Sequence, residues 1–146
     1  MEKGPKASFF NFTVTAATFF ILLSGPLVTT TLMYLLMEIF GLLLIFWAVL
    51  ARRVNKAATP KRLPAGYFFI DSGPYEIIRH PIYVGYLLVI LSLVEAEFTF
   101  LRIIAVVLIF AMIFLKIVRE ETTMGKEVKE YQEYKKKTNA VIPFLL

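Results

Sequence analysis

Gly73-Pro74-Tyr75-Glu76-Ile77-Ile78-Arg79-His80-Pro81-Ile82-Tyr83-Val84-Gly85 is a short polar passage between two long apolar regions, and it holds the only histidine of the chain. Two prolines and two glycines stand here among aromatic rings, an imidazole and a guanidinium. Such a mixture disfavours a lipid-facing helix and favours a shaped polar pocket, because irregular backbone in an apolar chain needs protein or water to meet its polar groups. Pro81 suits a first helical position, while its ring pushes His80 out of the helical region. A helix is therefore expected to start at Pro81, with the polar passage just outside it.

Outward from this passage the chain is apolar: 58% of its 146 residues are hydrophobic and the mean hydropathy is +0.71. Those values lie beyond an ordinary soluble domain and read as an integral membrane protein. Apolar runs place spans at 7–24, 27–51, 81–97 and 98–118. The second run, at about 1.5 Å per residue, measures roughly 37 Å against a hydrocarbon core of roughly 30 Å. The third is short, with an apolar heart at 82–94 of roughly 20 Å. The head, with Lys3 and Lys6, raises the reading of a cleaved leader; no Ala-x-Ala site follows the first run, which leads directly into the second, so it is read as a span. Gly25-Pro26 turns the first two spans into a hairpin, and the connection 52–79 contains an aromatic, apolar segment, 63–70, suited to a membrane interface.

Charge sets the orientation. All but Arg102 of the 16 Lys and Arg residues fall in the head, in the connection 52–79, or from Lys116 onward. Placing these on one side gives a positive-inside arrangement with both termini cytoplasmic, which also accounts for the net charge of +5 without nucleic acid. The expected fold is all-α: one domain, 1–146, forming a four-helix transmembrane bundle with a cytoplasmic C-terminal helix in the tail 119–146.

With no Cys and one His, the usual zinc, iron-sulfur and thiol chemistries are excluded, and no metal site is expected. Chemistry would have to come from carboxylates, Arg, Lys, Tyr, one imidazole or a bound cofactor. Ile117, Glu121, Met124, Val128 and Tyr131 recur at spacings that trace the packed face of a helix, which puts the Glu121 carboxylate on that face. Glu120 is its neighbour, and Lys116, Arg119 and Lys126 are in reach to neutralise either acid. The other reading of this pair is a solvated surface. Arg79 and His80 read either as an interface anchor or as a ligand site at the start of a helix; the company of Gly73, Pro74, Tyr75, Tyr83 and Gly85 favours the ligand. Gly85 admits a ligand or a neighbouring helix at close range. Glu38 lies mid-span, where an ionisable group is a functional candidate by default, or a carboxyl kept neutral and hydrogen-bonded.

Gly73-Pro74-Tyr75, Arg79-His80-Pro81 with Tyr83 and Gly85, Glu120-Glu121, Tyr131, Tyr134 and Ile142-Pro143, in this order, resemble the isoprenylcysteine carboxyl methyltransferase and phospholipid methyltransferase superfamily. The motifs cover half of the chain, from 73 to 144. The chain departs from the family pattern at Val128-Lys129, where Phe-Gly is usual, and at Asn139-Ala140-Val141, where a basic residue is usual.

The resemblance implies a membrane-embedded S-adenosylmethionine site and a lipophilic methyl acceptor entering from the bilayer, with no glycine-rich nucleotide turn. By charge matching it gives Arg79 or His80 to the carboxylate of S-adenosylmethionine, Glu120 and Glu121 to its ammonium or ribose, and Tyr75 or Tyr83 to its adenine or sulfonium, beside Gly85. Glu38 and Arg79 are the candidate catalytic residues, Glu38 or a tail glutamate serving as base for an amine acceptor. A sterol-reductase-like NADPH enzyme shares a related Arg-His-Pro-x-Tyr-x-Gly stretch, usually with Asn after the Pro and an acid after the Gly, where Ile82 and Tyr86 stand here. A non-enzymatic four-span protein binding lipid headgroups through the basic residues 52–62 is the third reading.

Overall fold

The computed structural model describes residues 5–58, 70–127 and 129–141. Its elements are α1 (Pro5–Leu23), α2 (Leu32–Ala58), a 3-10 turn (Gly73–Glu76), α3 (Pro81–Ala96), α4 (Phe100–Glu127) and α5 (Lys129–Lys137). Among the described residues there is no strand, only an isolated parallel bridge between Ile78 and Asn139. Two helical stretches, Leu32–Val54 and Phe100–Lys126, are long and apolar enough to cross a membrane, whereas Phe9–Leu23 and Pro81–Ala96 are shorter.

The first connection is longer than the expected Gly25-Pro26 turn and runs from Ser24 to Thr31. Thr29 Oγ1 accepts from the Thr31 amide at 3.3 Å and donates to Glu95 Oε2 at 2.9 Å, and Thr31 Oγ1 donates to Glu95 Oε1 at 3.1 Å. Such hydroxyl bonds compete with helix formation, so α2 opens only where the Leu35 amide reaches Thr31 O at 2.9 Å. At its other end α2 continues through Arg52 and Arg53, making the start of the expected connection helical. The interfacial segment expected at 63–70 lies outside the described residues except for Ile70, as do Val128 of the helical stripe and Ile142-Pro143. The α4 helix passes the expected end at 118 and reaches Glu127, since Arg119, Glu120, Glu121, Met124 and Lys126 sustain a helix well.

The expected hairpin of the first two helices is not the main packing. α2 packs chiefly on α3, and α1 chiefly on α4. Small residues explain the first pairing: a Cβ on Gly85 would lie 2.6 Å from Gly41 O and 2.8 Å from Ile45 Cγ1, so only glycine allows this approach. Ala17 and Ile21 of α1 explain the second, joining Ile90 and Leu93 of α3 and Ala105, Ile109 and Ile113 of α4 in one buried cluster.

Arg102 is fully buried, and its Nη2 donates to Leu93 O at 2.7 Å and Ile21 O at 3.3 Å. These carbonyls sit in the last turns of α3 and α1, where helices leave acceptors unsatisfied and a cation is favourable. One side chain thus ties two helix ends together at the end of the bundle away from His80.

Candidate functional site

The polar passage folds as its residues dictate. Gly73 has φ of 63°, in the left-handed region, and a Cβ there would meet Ala51 Cβ at 3.2 Å and Trp47 Nε1 at 3.4 Å. This fixes the 3-10 turn against α2. Pro81 begins α3 as expected, with His80 as its non-helical cap at φ −124° and ψ 53°.

The C-terminal segment returns to this passage and is fastened to it. The Arg79 amide donates to Asn139 O at 2.8 Å, the Asn139 amide to Ile77 O at 3.4 Å, and Tyr134 Oη to Tyr75 O at 2.6 Å. Arg79 is buried, with Nε donating to Glu121 Oε1 at 2.7 Å and Nη1 to Thr138 O, and to Lys135 O at 3.4 Å. Three elements far apart in sequence therefore meet at one guanidinium.

Glu121 Oε1 also accepts from Tyr131 Oη at 2.8 Å and lies 3.2 Å from His80 Nε2, while Lys135 Nζ stands 3.0 Å from Oε2. The expected neutralising partners were Lys116, Arg119 or Lys126; Arg79 and Lys135 supply the charge instead, because the tail folds back beside α4. Ile117, Met124 and Tyr131 of the stripe are buried. Burial first, and then the Glu121 carboxylate, push the Tyr131 phenol above its ordinary value. Burial likewise raises Tyr134 and Tyr75, opposed at Tyr134 by Arg79 and at Tyr75 by Arg52.

Glu120 points differently. It accepts from Tyr83 Oη at 2.8 Å, and its Oε2 is 3.6 Å from His80 Nδ1, so both imidazole nitrogens face carboxylates. The His80 and Tyr83 rings stack with centroids 5.6 Å apart, and Lys116 Nζ lies over the Tyr83 ring, 5.3 Å from its centroid.

These groups line a cavity of about 290 Å³, close to the lower size of ligand pockets, roughly 300 Å³. Tyr75, Arg79, His80, Tyr83 and Glu120 reach it, together with Arg52, Lys116, Met124, Tyr131 and Tyr134. Glu121 is behind the wall and holds its members in place. Two expected residues are not brought to the site. Gly85 is closed by α2, so it serves helix packing and not ligand approach. Glu38 is buried and accepts from the Thr29 amide at 3.4 Å, beside the Thr29–Glu95 contact near the far end of α3. That end is several helical turns from His80, roughly 20 Å at about 1.5 Å per residue along α3. Arg52 and Lys116 line the cavity, though the sequence placed Lys116 only as a partner for the Glu pair and Arg52 only in the basic stretch 52–62. Lys116 is one turn before Glu120 and shares its face, a usable signal; Arg52 reaches the cavity only because α2 extends past the apolar run.

The described chain is an all-helical protein with two helices long enough to cross a membrane, and its polar cavity is gathered at the start of α3. No family model, curated protein or solved structure matches the chain. Among the described residues no group of His, Cys, Asp or Glu is arranged to hold a metal ion.

Proposed function

We propose that the chain is an integral membrane methyltransferase that uses S-adenosylmethionine to methylate a lipophilic acceptor. The observation carrying this reading is that Tyr75, His80, Tyr83 and Glu120, drawn from two distant motifs, line one cavity. The bundle spans the membrane four times, with both termini and α5 on the cytoplasmic side. Supporting this, α2 and α4 expose large apolar side chains such as Leu36, Phe40, Phe46, Val107, Phe114 and Leu115, which water would not favour but lipid would. Positive charge gathers at the cavity end of the bundle.

The donor groups suit such a ligand. Glu120 retains acceptor capacity beyond its Tyr83 bond and meets an ammonium or ribose hydroxyls. Arg79 and His80 were the expected partners of the ligand carboxylate. With Arg79 Nε engaged by Glu121 of α4, Nη1 by the tail, and both His80 nitrogens facing Glu120 and Glu121, Arg52 takes that role, and Arg79 and His80 shape the wall. The Tyr75 and Tyr83 faces receive the adenine or the sulfonium.

When bound, S-adenosylmethionine supplies an electrophilic methyl carbon on a positively charged sulfur. The protein's part is to hold a nucleophile in line at a near-attack distance, roughly 3–3.5 Å. A carboxylate acceptor would need no base from the protein, and the opposite charges of donor and acceptor would cancel on transfer, a change that fixed protein dipoles would favour over bulk water. An amine acceptor must also lose a proton, for which Glu120 is the nearest carboxylate with free capacity, Glu38 lying too far away.

The test is equilibrium binding of S-adenosylhomocysteine and of NADPH to the detergent-purified chain. Saturable binding of the former, weakened in Glu120→Ala, supports the proposal. Binding of NADPH alone moves the chain to the reductase reading, and binding of neither leaves the non-enzymatic one.

A further inference from the structure

His80 is the only histidine of the chain, and its side chain is 9% exposed between two acids of α4. Nε2 lies 3.2 Å from Glu121 Oε1, and Nδ1 lies 3.6 Å from Glu120 Oε2. An ionised carboxylate only accepts, so a ring nitrogen facing one at such range carries a proton. Both nitrogens do so here, which makes the ring an imidazolium.

The two protons are not held alike. Glu121 is fastened by Arg79 and by Lys135 and Tyr131 of α5, and its side chain is 11% exposed. Glu120 is 25% exposed, and its hydrogen-bond partner is the neutral phenol of Tyr83 in α3. Its contact with Nδ1 is longer than a hydrogen bond and rests on charge. Arg79, Arg52 of α2 and Lys116 of α4, the other cations at the cavity, keep their charge through neutral pH, and the phenols of Tyr75, Tyr83, Tyr131 and Tyr134 ionise only in alkali. The Nδ1 proton is therefore the one that can leave. Among the described residues Glu120 is also the only acid lining the cavity. A cationic ligand group and the imidazolium compete for that one carboxylate, and side by side in poorly screening surroundings they repel each other. Once Nδ1 is bare, it and Glu120 are two acceptors in need of a donor, which an ammonium supplies.

We infer that the cavity exchanges the Nδ1 proton of His80, the counter-charge of Glu120, for the cationic group of its ligand. The N–H bond opens with its electron pair left on Nδ1, the proton passes to solvent, and the net charge of the site is kept. His80 is then a positioning residue that couples ligand affinity to pH. On the methyltransferase reading, on which the identity of the ligand rests, the incoming group is the ammonium of S-adenosylmethionine.

Because the chain has one histidine, nuclear magnetic resonance with isotope-labelled histidine nitrogen reports this ring alone. In the detergent-purified full chain both nitrogens should be protonated at neutral pH, and Glu120→Gln should release the second proton at a lower pH. S-adenosylhomocysteine, which keeps the ammonium, should convert the ring to its singly protonated form, and calorimetry in buffers of different ionisation heat should find close to one proton released per ligand. Its affinity should rise from about pH 5 to 8, by at most about tenfold per pH unit, since one proton is exchanged. His80→Gln should flatten that rise; the ring measurements use the unaltered histidine, so they decide the matter even where this variant does not fold. A ring whose protonation is indifferent to Glu120→Gln overturns the inference. So does ligand binding without proton release, or an affinity that is flat or falls with pH, a fall placing the imidazolium on the ligand carboxylate. If S-adenosylhomocysteine does not bind, the methyltransferase reading fails, and trimethylsulfonium chloride set against sodium chloride of equal ionic strength decides the exchange: loss of the second proton to trimethylsulfonium upholds it, and an unchanged ring overturns it.

Discussion

Arg79 and Glu121 are 42 residues apart in sequence and joined by a 2.7 Å ion pair whose side chains are 6% and 11% exposed. Removing one partner from a pair this buried strands the other charge, which typically costs about 3–5 kcal/mol. Glu121→Ala and Arg79→Ala should each lower stability in detergent by an amount on that scale. The double variant should lose less than the sum, since the second substitution removes the stranded charge. Chemical denaturation of the four proteins measures this; additive losses would show that the pair is not coupled.

Gly85 and Gly41 set how closely α2 and α3 approach. Gly85→Ala places a Cβ 2.6 Å from a backbone carbonyl, an overlap that only helix displacement relieves. The expected cost is about 1–3 kcal/mol of stability. Ligand affinity per folded molecule should be unchanged, because Gly85 does not line the cavity. A variant of normal stability with lost S-adenosylhomocysteine affinity would return Gly85 to the ligand site.

These two positions show what sequence conveys and what it withholds. Pro81 as a helix start and the packed face of Ile117, Met124 and Tyr131 depend on local backbone preference and on helical period, and both are visible in one segment. The partner of Gly85 depends on which helix faces it, a tertiary choice that small residues permit but do not specify. The partners of Glu121 were misassigned for a related reason. Lys116 and Arg119 are near in sequence, but Arg79 and Lys135 are nearer in space once the tail is fastened by Asn139 and Tyr134. For Glu38, hydropathy reports that the residue lies within an apolar run without saying which end of the bundle it faces.

The placement of Glu38 carries its own prediction. Its carboxylate meets the Thr29 amide, and Thr29 in turn meets Glu95, so the group organises the α1–α2 connection and not the cavity. Glu38→Gln, which keeps shape and one acceptor oxygen, should leave S-adenosylhomocysteine affinity and methyl transfer unchanged. Single-turnover methyl transfer to a lipophilic acid, and separately to a lipophilic amine, checks this. A selective loss with the amine would make Glu38 a proton acceptor after all.

Tyr131 gives the tail a pH limit. Its phenol donates to Glu121 and is held above its ordinary value, so the folded chain keeps the proton that the unfolded chain releases near pH 10. Below that pH both states are protonated and the contribution of the bond is complete. As pH rises above about 10 the unfolded state ionises first, and stability falls toward the higher folded value. Thermal unfolding of the unaltered chain and of Tyr131→Phe, scanned across alkaline pH, should show an advantage for the tyrosine that is constant below about pH 10 and shrinks above it. Phenylalanine cannot titrate, so lysine deprotonation, common to both proteins, largely cancels from the difference. An advantage that persists undiminished in strong alkali would mean that the Tyr131 hydroxyl does not donate to Glu121, and that the tail is held by Arg79 and Lys135 without it.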